Sequence, residues 1–303
     1  MKVAVTGSSG LIGSALLPAL QADGHEVVRI VRRPPGDPSE IRWDPAAGVL
    51  DPTALRGVDA VVNLAGAGIG DHRWTSDYRQ RLRSSRIDGT RLLAETLAGL
   101  SPAPRVLLSG SAIGWYGTAA GSAAVALDES AAPGDGFLAG LARDWEAATT
   151  AADQAGLRVV HLRTGIVLSA RGGMLPRLLP IFRLGAGGRL GSGRQWLSWI
   201  SLIDTVGALR FLLGAEEVQG PVNLVAPHPV TNAEFTTALA HALRRPAVAR
   251  VPRAALRLAL GAFADEGVFA SQRLTPAALL GAGFAFTHPD LASALSEALR
   301  SGT

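Results

Sequence analysis

The chain has 303 residues, of which 48% are hydrophobic and 18% charged, with a formal net charge of +4. That length can bury one large core or two modest ones, and the composition excludes an intrinsically disordered chain. There is no cysteine, which excludes disulfide frameworks, thiolate metal sites, iron–sulfur clusters and cysteine nucleophiles.

Two further counts narrow the chemistry. Lys2 is the single lysine, so 28 of the 29 basic residues are arginine, and Tyr78 and Tyr116 are the only tyrosines. No lysine other than Lys2 is available for a Schiff base, a phosphate-loop cation or a catalytic pair. The arginines are scattered rather than clustered, which argues against a nucleic-acid partner despite a pI near 10.5. No run of about 18 uncharged apolar residues exists, so no membrane-spanning helix is expected. The opening residues are too rich in Gly and Ser for a secretion signal, and a cytoplasmic location is expected. The six histidines are dispersed without metal-ligand spacing, so no metal site is expected.

In chain order, Lys2–Thr6 reads as a strand, residues 7–10 as a Gly-rich turn, and 11–23 as a helix with Leu11, Ile12, Leu16, Leu17 and Leu20 on one face. Gly24 suits the residue just past that helix. Glu26–Val31 is a second strand, ended by Arg32, Arg33 and two prolines. The run 58–64 is apolar enough for a strand covered on both faces. Residues 86–100 read as a helix, 105–109 as a strand, 138–155 as a helix ended by Gly156, and 157–163 as a fifth strand. This alternation predicts an α/β fold with a doubly wound parallel sheet, a Rossmann-type architecture. Past Gly165 the regularity weakens, with a Gly/Leu/Pro block over 172–193, a helix over 204–213 and a short strand over 221–225. Thr231 with Glu234 forms a capping-box signature for a helix through Leu243. The expected organisation is a nucleotide-binding domain over 1–225, with substrate-side segments inserted from about 166, and a small C-terminal domain over 249–298. Residues 244–251 are the candidate boundary.

Gly7, Gly10 and Gly13 form a GxxGxxG pattern directly after a strand and opening a helix. The first allows a tight turn, the second lets a pyrophosphate approach the backbone, and the third lets helix and strand pack closely. The free N–H groups of the new helix, around Ser9, Leu11 and Ile12, attract phosphate. At the end of the second strand, an acid would bind the ribose hydroxyls of NAD, whereas Arg32 and Arg33 suit the 2′-phosphate of NADP. NADP(H) is therefore expected over NAD(H). Asn63, Ala65 and Gly66 end the third strand, where a ligand crevice opens, and they are assigned with Ser109 and Arg163 to the cofactor side.

The segments TGSSGLIG (6–13), DAVVNLAG (59–66) and SGSAIGWYG (109–117), with Asp204, resemble the extended short-chain dehydrogenase/reductases. RWT (73–75), SR (85–86), RDWE (143–146), LRTGIVL (162–168) and LGSGRQWLSWI (190–200) narrow the resemblance to the bacterial "epimerase family protein" group. Members of that group are atypical extended reductases with a short extra C-terminal domain. The wider superfamily uses a Tyr-x-x-x-Lys pair on a helix and a Ser or Thr after the fourth strand. The Tyr moves a proton during hydride transfer, and the Lys lowers its pKa. By this resemblance the pair falls on Leu138 and Ala142, neither of which can move a proton.

The serine position is kept as Ser111, which either hydrogen-bonds a substrate oxygen or caps the turn after its strand. Tyr116 is the second catalytic candidate, with pocket lining as its alternative. Arg73, Arg81, Arg86, Arg163 and Arg194 could together meet an anionic small-molecule substrate. Trp196 and Trp199 could stack on a ring or pack in the core. Asp128 and Glu129 read as solvated loop acids, His161 as a satisfied core residue, and Asp204 as a structural partner. The expected function is an NADP(H)-binding oxidoreductase or epimerase-like enzyme without the usual dyad. The alternative is a non-catalytic NADP(H) sensor or interaction protein.

Overall fold

A computed structural model describes residues 1–121 and 125–300. Eight strands build one sheet: β1 Lys2–Thr6, β2 Glu26–Val31, β3 Glu40–Asp44, β4 Val49–Leu50, β5 Ala60–Asn63, β6 Val106–Ala112, β7 Arg158–Thr164 and β8 Gly220–Leu224. Their spatial order is β8-β7-β6-β5-β1-β2-β3-β4. β1 pairs in parallel with β2 on one side and with β5 on the other, β2 with β3, and β5 with β6. The two-residue edge strand β4 is antiparallel to its neighbour β3. The order reverses at β1, so the switch point of this doubly wound sheet lies between β1 and β5.

The flanking helices include α1 (Leu11–Ala22), α2 (Ser76–Ala98), α3 (Phe137–Ala147) and α4 (Thr150–Gln154). Val61 and Leu107 of the sheet pack with Leu93 and Leu97 of α2 and Ala152 of α4 in one buried cluster. Gly24 follows α1 at φ 76°, and Gly156 follows α4 at φ 83°, as their place after a helix requires.

By contacts the chain divides into two compact units. One holds Met1–Ser111, Leu141–Leu162 and Val206–Val222; the other holds Ala112–Gly140, Arg163–Thr205 and the chain from Asn223 on. In the second unit, Leu168, Phe182 and Trp199 share a core with Phe235 and Leu295. Asp204, 1% exposed, accepts the backbone N–H groups of Thr287 (2.6 Å) and His288 (3.0 Å) and the Ser201 hydroxyl (2.8 Å). It is a buried structural partner within this unit. The capping box of Thr231 and Glu234 is formed.

The structure differs from expectation in four places. α2 starts at Ser76 rather than near residue 86, because Thr75 caps it by accepting the Tyr78 N–H at 3.2 Å, and because Tyr78 and Leu82 extend its buried stripe. The helix expected over 138–155 is two, because the hydroxyls of Thr149 and Thr150 take the carbonyls of Glu146 (2.8 Å) and Ala147 (2.6 Å). β3 and β4 lie in a stretch to which no element was assigned from the sequence. Within the candidate boundary, Ala249–Val251 pairs in parallel with Gly188–Leu190.

The phosphate turn explains its own glycines unequally. A Cβ on Gly7 (φ 63°) would sit 2.6 Å from the Leu64 carbonyl carbon, and one on Gly13 would sit 2.3 Å from the Gly7 oxygen. These two positions are closed by the protein's own backbone. Gly13→Ala is expected to lower stability by about 1–3 kcal/mol, read as a lower urea midpoint at unchanged slope.

Candidate functional site

The carboxyl ends of β1, β5 and β6 place Thr6, Asn63 and Ser109 in register. Thr6 Oγ1 donates to Asn63 Oδ1 at 2.6 Å and accepts the N–H groups of Leu64 (3.0 Å) and Ala65 (3.1 Å). Asn63 Nδ2 donates to Thr90 Oγ1 at 2.8 Å, which also accepts Trp145 Nε1 at 2.9 Å. Asn63 is thus a buried tie whose side chain faces protein partners; what it leaves at the crevice edge is backbone. Ser109 Oγ is fully buried and has no hydrogen-bond partner.

Above these strands lies the turn that opens α1. Gly10 caps α1 without a side-chain hydrogen bond, and the first turn of α1 carries no acid. A Cβ on Gly10 would meet only the Gly7 oxygen, at 3.2 Å, so the space over it is otherwise open. Ser9 and Gly10 are exposed, while Leu11 and Ile12 are half-buried.

The segment after β5 is held from α2. Ala67 donates its N–H to Ser85 Oγ (3.1 Å), and its carbonyl accepts Arg86 Nη2 (2.9 Å). The Gly68 carbonyl accepts the Tyr78 hydroxyl (2.5 Å), and the Ile69 carbonyl accepts Trp74 Nε1 (2.8 Å). Arg86 lies on α2, and its guanidinium stacks on Trp145 at 5.1 Å. A Cβ on Gly66 would come within 3.2 Å of Arg86 Cζ. Burial pulls the Arg86 pKa down to about 10, so it remains charged at neutral pH. Its contacts are carbonyls and a ring, and no carboxylate among the described residues pairs with it. A desolvated cation without a counter-charge, beside the strand end that Gly7 touches, is the strongest anion-directed feature of the site.

The two arginines after β2 have different fates. Arg33 is held by the buried carboxylate of Glu40, with Nη1 at 2.6 Å and Nη2 at 2.5 Å. The same carboxylate accepts the Gly36 N–H at 2.6 Å and pairs with Arg29. In this structure Arg33 braces its own loop. Arg32 is exposed and has no partner among the described residues.

The remaining candidates also sort clearly. Ser111 is buried and donates to Glu146 Oε1 at 2.6 Å. Tyr116, 4% exposed, donates to Asn223 Oδ1 at 2.7 Å and accepts Arg163 Nη1 at 3.1 Å; burial raises its pKa against the lowering by Arg163. Both of these polar partners of Tyr116 lie within the second unit. Arg163, 2% exposed, stacks on Trp115 at 3.9 Å and donates to the Glu129 carbonyl at 3.1 Å, so it is consumed inside that unit. Glu129 is no solvated acid: its Oε1 accepts Asn223 N (3.0 Å) and Ala278 N (3.2 Å), and burial raises its pKa. Asp128 accepts the Ser130 N–H and hydroxyl, which hold its pKa down. Trp199 is core, and Trp196 lies under Arg273 at 4.6 Å. Lys2 pairs with Glu26 at 3.1 Å at the start of β1. Ala142 is buried and Leu138 half-buried. Glu146 is the residue that sequence reasoning left without a role, although it stands in the RDWE segment; only its contact with Ser111 singles it out.

A switch-point crevice bordered by a glycine turn, a bare helix start and an unpaired arginine defines a Rossmann-type nucleotide-binding site. The chain belongs to the NAD dependent epimerase/dehydratase family, which it matches over residues 3–225; residues 251–298 match a domain of unknown function, DUF1731. It is 51% identical over 296 residues to the epimerase family protein Mb2239 of Mycobacterium bovis, covering 98% of this chain and 97% of that one. It is 33% identical to the epimerase family protein YfhF of Bacillus subtilis, over 98% and 97% of the two chains. Among solved structures, human epimerase family protein SDR39U1 (isoform 2) with NADPH superposes with a TM-score of 0.88 at 34% identity, covering 99% of both chains.

Thr6 is the residue on which the strand ends converge. Thr6→Val keeps its shape but strands the Leu64 and Ala65 N–H groups and Asn63 Oδ1, and is expected to cost about 1–3 kcal/mol in thermal or urea unfolding.

Proposed function

We propose that the chain is an NADP(H)-binding oxidoreductase or epimerase-like enzyme acting on a small polar, anionic substrate. The observation that carries the cofactor reading is the unpaired, desolvated Arg86 guanidinium beside Gly66. It supplies the counter-charge that a pyrophosphate over the Gly7–Gly13 turn requires, and the open space at Gly10 supplies the approach. Arg32 is the 2′-phosphate contact, with Arg33 and Glu40 shaping the loop that presents it. The NADPH in the human relative's structure supports the same choice. When bound, the nicotinamide exchanges a hydride with a carbon of the substrate. The chain's own part is to hold the reacting oxygen at Ser111 and to handle its proton.

The absence of a lysine near the site supports a second reading, a cofactor sensor without turnover. Lys2 is at the far end of β1, and by resemblance Leu138 and Ala142 occupy the dyad positions.

Titration calorimetry separates these statements. NADPH is expected to bind more tightly than NADH, and Arg32→Ala is expected to weaken NADPH about 10- to 100-fold while leaving NADH unchanged. Equal affinities in the native chain would overturn the phosphate assignment, and no binding of either would overturn the cofactor reading. NADPH oxidation, or NADP reduction in reverse, over a panel of sugar nucleotides and short polar carbonyls then tests turnover. A chain that binds NADPH but turns over none of them is the sensor.

A further inference from the structure

Ser111 closes β6, and its hydroxyl hydrogen is committed to Glu146 Oε1 at 2.6 Å, with both side chains buried. A hydroxyl has one hydrogen and two lone pairs. Towards a substrate, Ser111 Oγ is therefore an acceptor, the opposite of the donor role that a serine facing a carbonyl would play. Behind Glu146 stands a second titratable group. Glu146 Oε2 is 3.7 Å from His161 Nδ1 on β7, and His161 Nε2 is 3.0 Å from Thr149 Oγ1. The Thr149 hydroxyl hydrogen already goes to the Glu146 carbonyl at 2.8 Å. Thr149 can then only accept from His161, which places a ring hydrogen on Nε2 and turns Nδ1 towards the carboxylate. The carboxylate that holds the Ser111 hydrogen therefore also faces the imidazole.

We infer that Ser111, Glu146 and His161 form a proton relay that replaces the missing Tyr/Lys pair. This rests on the catalytic reading above. In the direction of alcohol oxidation, with a nicotinamide dinucleotide as hydride acceptor, the substrate O–H donates to Ser111 Oγ. Its proton passes to Oγ as the serine's own passes to Glu146 Oε1. The bonding pair of the substrate O–H becomes the second bond of the carbonyl. Glu146 ends as a neutral acid, with His161 facing its other oxygen. Carbonyl reduction runs the same transfers backwards, with Glu146 as the proton source.

Glu146→Gln is the discriminating variant. It keeps an acceptor for the Ser111 hydroxyl and the side-chain volume, so a merely structural tie survives it, but an amide cannot take up the proton. With the fastest substrate of the panel, Glu146→Gln is expected to lower kcat about 10²- to 10⁴-fold while KM, NADPH affinity and the unfolding temperature stay near native values. Glu146→Asp is expected to recover part of the loss. Independently of turnover, proton NMR of the native chain is expected to show a slowly exchanging downfield hydroxyl signal that Ser111→Ala removes. Native kcat in Glu146→Gln, or no such signal, overturns the relay and leaves the cofactor reading standing. A native chain that binds NADPH without turnover overturns the catalytic reading and the relay with it.

Discussion

A short buried chain of hydrogen bonds holds the working edge of this sheet together: Thr6 to Asn63, Asn63 to Thr90, and Trp145 to Thr90. It ties β1, β5, α2 and α3 at one point, and every group in it lies where water cannot substitute for a lost partner. Such networks are stable only when each member is satisfied, and they then fix one arrangement of the elements they join. Here the arrangement fixed is the approach of Gly7 to Leu64 and Ala65, so close that no side chain fits between them. The turn, the strand end beside it and Arg86 against Gly66 all inherit their positions from that contact.

The arginines show how burial assigns roles that residue type leaves open. Arg32 and Arg33 are neighbours in sequence with the same chemistry. A buried carboxylate must be compensated, and Glu40 recruits Arg29, Arg33 and the Gly36 N–H to do so. Arg32 is left over. Arg163 likewise enters a stack with Trp115 and a bond to Tyr116. Arg86 moves the other way: it is half-buried with no carboxylate among the described residues, and carbonyls orient its charge.

The fold was legible because its signals are local. Strand, glycine turn and helix follow one another within the first 23 residues, and the Thr231–Glu234 box announces its helix directly. The failures have a common cause in partners that are distant in sequence. β3 was not anticipated because its strand character depends on pairing with β2 and on Glu40 being neutralised from β2 and the turn. α2 looked ten residues too short because its polar first turns are stabilised by what Tyr78 and Arg86 reach across to, the carbonyls of Gly68 and Ala67. The glycines of the site were readable for the same local reason. Which arginine is free, and which acid touches Ser111, depend on contacts of 7 to 35 residues' separation that no spacing rule encodes.

The single lysine acquires its meaning from this geometry. A lysine beside a catalytic tyrosine supplies a fixed positive charge, which makes a phenolate affordable near neutrality. A carboxylate behind a serine needs no such cation, because it is itself the base and becomes neutral when it accepts the proton. The two solutions place opposite demands on the helix that carries them: one needs a phenol and an ammonium facing the crevice, the other a buried acid one turn beyond. α3 carries small and apolar residues at the first two positions and Glu146 at the third. A chain that places its one lysine against Glu26 at the start of β1 can still move a proton, provided that it does so through oxygen acids and an imidazole rather than through a cation.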